Sequence, residues 1–154
     1  MTRTSKGQVA TNRLDNSDTM HLQICNEIMS ANKERYKHVE VNIPEGFHQT
    51  LIIKGKKVSF THGHMTGGGG NAEAKIEKWW KGQMYGFLPP GDAEILVTAH
   101  YHHLRMKQQG DRTWFQAPSI DKSIDFTERT GLWSHPGVLT FTISDKGWDN
   151  YQPL

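Results

Sequence analysis

Nine histidines stand in a chain of 154 residues, and five of them fall in two short clusters: His62 with His64, and His100 with His102 and His103. Neutral imidazole is the commonest metal ligand a protein offers. Any one of these histidines read alone is an ordinary loop or surface residue. Two clusters, each directly following an apolar run of strand length, point instead to metal coordination. Lys57 to Thr61 leads into the first cluster and Glu94 to Ala99 into the second. Ends of strands beside glycine-rich loops are where α/β proteins place ligands. In extended chain, residues i and i+2 share a face with Cα atoms about 6.5 Å apart. His100 and His102 are therefore expected to present two imidazoles to one centre or to two neighbouring metals, with His103 pointing the other way.

The elements that would position these groups follow from periodicity. Residues 1–16 are polar, with almost nothing apolar, and read as a flexible terminal segment ahead of a single domain over 17–154. The cap signal Asn16-Ser17-Asp18 precedes Met20, Leu22, Ile24, Cys25, Ile28 and Met29, which predicts a helix near 18–35. Val39 to Ile43 alternates apolar and polar until Pro44, the pattern of a half-buried strand. Lys54-Gly55-Lys56 is the turn of a hairpin over 49–61. Four glycines, Gly67 to Gly70, mark a loop expected beside the metal. Asn71 then caps a helix over 71–85, ended by Gly86 and Pro89-Pro90. Residues 94–99 read as a buried central strand, 104–117 as a second hairpin turning at Gln109-Gly110-Asp111, and 138–143 as a last strand. Strands alternating with two helices predict an α/β domain with mixed sheets.

Composition removes several classes of function. Eighteen Lys and Arg against sixteen Asp and Glu give a net charge of +2, no long-range field for nucleic acid or an anionic membrane. One cysteine, Cys25, makes neither an intramolecular disulfide nor a Cys-rich zinc site, and fits a reducing compartment. No apolar run reaches the roughly 18 residues of a membrane span and the polar start lacks a signal-peptide core, so a cytoplasmic protein without membrane contact is expected. The glycine loop lacks the Gly-Lys-Ser/Thr continuation of a nucleotide P-loop. Lys75, Lys78 and Lys81 beside Trp79-Trp80 suggest a face for single-stranded nucleic acid. The simpler reading is tryptophans packed on a sheet under a solvated lysine edge, with Glu77 to Lys81 paired at i, i+4. Trp114, Phe115, Trp133 and Trp148 are expected in the core. A small cupin-like barrel would need a Glu shortly after its His-x-His, where this chain has Met106 and Lys107.

Thr61-His62-Gly63-His64 after one apolar strand and Ala99-His100-Tyr101-His102 after another, about 35 residues on, resemble the last two metal-binding motifs of the calcineurin-like metallophosphoesterases, phage type in particular. Ala99 replaces the glycine usual in the final motif. The resemblance covers Val39 to the C-terminus and implies a hydrolase fold, a metallophosphoesterase-like sandwich of which this chain supplies the C-terminal half. It implies two divalent metals about 3.5–4 Å apart, of Mn, Fe, Zn or Mg character. By that resemblance His62 would hold one metal, His100 the same metal or its bridging neighbour, and His102 the other, with His64 and His103 at the metal or substrate rim. The substrate class it implies is a nucleic-acid or nucleotide phosphodiester. The family's earlier motifs, Asp-x-His, Gly-Asp and Gly-Asn-His, are not found. Asp18-Thr19-Met20-His21 has the wrong spacing, Gly91-Asp92 and Gly110-Asp111 come after the first histidine motif, and Gly70-Asn71 is followed by Ala72. A split enzyme completed by a separate N-terminal half chain, a late start, or a non-catalytic metal-binding or interaction remnant are the readings this leaves.

Overall fold

The computed structural model describes residues 17–64, 71–122, 124–131 and 133–154. Backbone contacts divide the chain into two compact units that meet between Phe47 and His48. The described part of the first is helical: α1 spans Ser17–Ala31 and α2 spans Lys33–Tyr36. One continuous helix was expected here, and Asn32 interrupts it. Its side-chain amide donates to the Ile28 carbonyl at 2.9 Å, the local competition with backbone bonding that makes Asn a poor helix-interior residue. The strand expected at 39–43 does not form. The Val39 amide is spent on the Tyr36 carbonyl at 2.8 Å, closing α2, and Pro44 has no amide to give a ladder.

The second unit is a mixed α/β domain. Strands β1 (His48–Ile53), β2 (Lys56–Thr61), β3 (Ile95–Thr98), β4 (Arg105–Gln109) and β5 (Arg112–Gln116) form one sheet in the order β1-β2-β3-β5-β4. The β1–β2 and β4–β5 pairs are antiparallel hairpins, while β3 runs parallel to both β2 and β5. Lys54 and Gly55 both take positive φ, 51° and 80°, at the first hairpin, as a two-residue turn matched to strand twist requires. The outer strands β1 and β4 are the sheet edges, and β1 leaves Ile52 73% exposed.

Helix α3 (Ala72–Tyr85) covers one face of this sheet. It begins as expected: the Asn71 side chain accepts from the Ala74 amide at 2.9 Å. Ile76, Trp79 and Trp80 pack on Leu96 and Trp114, and the Trp80 indole donates to the Pro90 carbonyl at 2.6 Å. The tryptophan pair is thus committed to packing. Glu77 pairs with Lys107 of β4 rather than with Lys81, and Glu73 bridges Arg105 and Lys107 at 2.7 and 2.6 Å. A short 3-10 turn, Pro89–Asp92, runs so close to α3 that a Cβ on Gly91 would overlap the backbone of Gln83 and Met84.

The other face carries a two-stranded antiparallel ribbon, β6 (Leu139–Ser144) and β7 (Gly147–Pro153). Phe115 is fully buried between the two layers, stacked on Phe141 with ring centres 4.6 Å apart and edge-on to Trp148 at 4.9 Å. Along the chain, α4 (Ile124–Thr130) comes between β5 and β6. Trp114, Phe115 and Trp148 are core residues as expected, but Trp133 is 53% exposed. No helix among the described residues is long and apolar enough to cross a membrane.

Candidate metal centre

The parallel pairing of β2 with β3 sets Thr61 opposite Thr98, so both strands finish at the same edge of the sheet. Whatever follows them is forced into proximity, because neighbouring strands lie only about 4.8 Å apart. His62 is the first residue beyond β2. Gly63 comes next with φ +94°, and a Cβ there would touch the Ile76 side chain at 3.4 Å and the Ala99 carbonyl at 3.6 Å. Those are ordinary contact distances, so the residue between the two histidines is glycine for conformation rather than for space.

Beyond β3 the chain does not stay extended. The Tyr101 amide donates to the Ala99 carbonyl at 2.8 Å and His100 takes φ +68°, a three-residue γ-turn with the histidine at its apex. His102 is also left-handed, at φ +58°. The i, i+2 geometry expected for His100 and His102 is thereby replaced by two sharp reversals. Left-handed backbone costs a β-carbon residue about 1–2 kcal/mol, and such strain concentrates where side-chain placement is over-determined by the surroundings.

The result is a cluster of three imidazoles. His62 Nε2 and His100 Nδ1 are 3.2 Å apart. Ring centres are separated by 5.0 Å for His62 and His100, 5.2 Å for His62 and His64, and 6.1 Å for His64 and His100. His64, expected at the rim, is in ring contact with both others. His102 is exposed, and His103 lines a separate cavity. The glycine loop expected alongside, Gly67 to Gly70, lies outside the described residues.

A 3.2 Å separation of two ring nitrogens suits either of two states. One nitrogen can donate a hydrogen bond to the other, or both can face one divalent ion: metal–nitrogen bonds of about 2.0–2.1 Å at a tetrahedral angle put the nitrogens about 3.3 Å apart. The donor pair fits a metal as part of a coordination sphere. Among the described residues no group of three or more His, Cys, Asp or Glu side chains is assembled to hold an ion.

Tyr101, outside the expected set, contacts the cluster, and His48 stands across the ladder from the residue before His62. The Tyr101 ring meets His100 edge-on at 5.0 Å and packs on the Ile76, Leu96 and Trp114 cluster, which ties the γ-turn to the core. In the sequence it is only the spacer of His-x-His. His48 pairs with Thr61 across the β1–β2 ladder and lies 6.5 Å from the Trp79 ring. Burial lowers its pKa below the ordinary 6.5, since removal from water penalises the charged ring. Its position opposite Thr61 arises from strand register, which histidine spacing along the chain does not show.

No protein-family profile matches the sequence, and no curated protein matches it. Twelve solved chains are similar in structure. A Vps29 single mutant from Entamoeba histolytica has 18% identity and a TM-score of 0.49, covering 71% of this chain and 61% of its own. Wild-type Vps29 of that organism, complexed with zinc, has 22% identity and a TM-score of 0.45, with 71% and 57% covered. A predicted phosphoesterase from Streptococcus pneumoniae TIGR4 has 15% identity and a TM-score of 0.41, with 67% and 48% covered. The chain thus spans about half to three fifths of the length of these structures.

Proposed function

We propose that this chain supplies the histidine ligands of a metal-dependent phosphoesterase of the calcineurin-like class, acting on a nucleic-acid or nucleotide phosphodiester in a cytoplasmic setting. The observation that carries the reading is the pair of nitrogens, His62 Nε2 and His100 Nδ1, held 3.2 Å apart beyond two adjacent parallel strands. The motif resemblance of residues 61–64 and 99–102 supplies the reaction class. His62 and His100 lend their nitrogens to one divalent ion of Mn, Fe, Zn or Mg character, and His102 serves a second. Tyr101 and the γ-turn fix the aim of His100, and the His64 ring braces His62. A divalent ion bound there supplies polarisation of a phosphoryl oxygen and acidification of a water. Carboxylate ligands come from a separate N-terminal half. The second reading, a non-catalytic metal-binding module, is favoured by the lack of Asp-x-His, Gly-Asp and Gly-Asn-His motifs ahead of His62 in the sequence.

Cobalt or manganese titration by calorimetry, with bis-p-nitrophenyl phosphate as reporter substrate, separates the two. The chain alone should bind metal weakly and turn over little. Adding an upstream segment that bears Asp-x-His, Gly-Asp and Gly-Asn-His motifs should restore manganese-dependent turnover, and His100→Ala or His102→Ala should abolish it. Metal binding without rescue supports the non-catalytic module. No metal binding, or affinity unchanged in His62→Ala and His100→Ala, refutes both.

A further inference from the structure

The same end of the sheet carries a second concavity, unrelated to the histidine cluster in its chemistry. A cavity of about 530 Å³ opens there, bordered by His103, Trp133, Ser134, His135, Pro118 and Gly137 among others. Its size lies within the range of small-molecule sites. Its location follows from topology: Pro118 stands two residues beyond β5, and His103 follows β3, so both walls leave the C-terminal ends of the parallel strands. Two residues separate His103 from His100, a span of three Cα–Cα steps, so their Cα atoms lie at most about 11 Å apart.

Two properties of the cavity indicate what it holds. The first is rigidity. The fully buried Gln116 side chain donates to the His103 carbonyl at 2.7 Å. The Gly137 amide donates to Ser119 at 2.8 Å, and Val138 and Leu154 exchange backbone hydrogen bonds at 2.7 and 2.9 Å. A Cβ on Gly137 would come within 2.6 Å of the Leu154 carbonyl, so the wall is already as close as glycine permits. The walls at His103 and Gly137, fixed in this way, take a ligand with little ordering cost of their own. The second is the lining. Trp133 is half exposed, and His135 meets its ring edge-on at 4.5 Å. An exposed indole offers a stacking face for a flat ring. The imidazoles of His103 and His135, and the Ser134 hydroxyl oxygen, which accepts while its proton goes to the His135 carbonyl at 3.4 Å, offer hydrogen-bonding groups suited to the heteroatom edge of a base, which a plain hydrocarbon ring lacks.

From this we infer that the cavity holds the nucleobase of the phosphoester whose phosphate the histidine cluster engages, with the base stacked on Trp133. The inference rests on the phosphoesterase reading for the origin of the base. The binding itself needs no metal and no phosphate, which makes the two separately testable.

The experiment uses adenosine, a nucleoside with no phosphate, titrated into nitrogen-15-labelled full chain in the presence of a chelator. The five tryptophans give five indole N–H signals, and Trp133→Phe identifies the one at issue while the other four report that the fold is intact. The expected result is a saturable shift of the Trp133 signal with a millimolar dissociation constant; followed through the backbone amide of Gly137, which also lines the cavity and is retained in Trp133→Ala, binding should weaken about tenfold in that variant, as loss of one base–aromatic stack implies. Phenol should bind at least about tenfold more weakly than adenosine, because it leaves the polar lining unpaired. The inference is overturned by no saturable shift up to about 10 mM adenosine, by equal binding in Trp133→Ala, or by phenol binding as tightly as adenosine. Adenosine binding in a chain that takes up no metal would leave the cavity assignment standing and remove the phosphoesterase reading. Metal uptake without adenosine binding would do the reverse.

Discussion

Gly63→Ala and Gly55→Ala make a matched pair that isolates what the backbone at the histidine cluster contributes. Both glycines have positive φ, +94° and +80°. At Gly55 an added Cβ meets nothing within 4 Å, and at Gly63 the nearest atom is Ile76 Cδ1 at 3.4 Å, an ordinary contact. Steric overlap is absent from both, so the cost is conformational, about 1–2 kcal/mol each. For a cooperative unit of about 100 residues that lowers Tm by about 4–9 °C. The two differ in position: Gly55 is in a hairpin turn, whereas Gly63 joins His62 to His64. Thermal melts by circular dichroism should therefore show similar losses. Calorimetric cobalt titration should show about a tenfold loss of affinity for Gly63→Ala alone, as expected when the support of a ligand is disturbed. A Gly63→Ala protein with wild-type Tm would refute the strain argument. Equal loss of cobalt affinity in both variants would refute the claim that the turn at Gly63 aims the imidazoles.

Three further outcomes follow from the packing and the charges. Phe115→Ala should cost about 3–5 kcal/mol in urea unfolding, because the ring is fully buried and stacks on Phe141 across two layers. Asn71→Ala should cost about 0.5–2 kcal/mol through loss of the bond accepted from the Ala74 amide, while Asn71→Ser should be nearly neutral. His48 has its folded pKa below 6.5, so between those two values the unfolded chain binds the extra proton. Its contribution is complete above about pH 6.5 and falls away as pH drops toward the folded value. Urea midpoints measured from about pH 5 to 7.5 should decline less steeply in His48→Phe than in the wild type.

The sequence is most readable where local chemistry and tertiary demand agree. Asn71 and Gly86 bracket α3, and Gly55 and Gly110 turn the two hairpins, because capping and positive φ are local requirements. β3 is readable from its continuous apolar run, which only burial on both faces explains. The strand expected at 39–43 fails for the opposite reason: alternation describes a residue pattern, while a strand needs a partner, and the Val39 amide is already bonded to α2. β7 escapes the pattern because Trp148 and Tyr151 both pack against the Phe115 cluster although three residues apart. Left-handed Asn150 and the irregular register around Phe141 absorb the extra residue. At the centre itself, strand ends bring His62 and His100 together, but the γ-turn that separates His100 from His102 depends on Tyr101 packing into the core and leaves no trace in His-x-His spacing.

Insertion of a single strand between two hairpins also orders events in time. β1–β2 and β4–β5 each close across two residues, the kind of pairing that forms in about 1–10 μs. β3 must then find β2 and β5 through non-local, parallel ladders, and pairings of that type are slow. His62 travels with the first hairpin and His100 with β3, so the two nitrogens meet only after the central strand has docked. An ion that needs both can be captured only by chains that have completed this step, and it draws the folding equilibrium toward them by mass action.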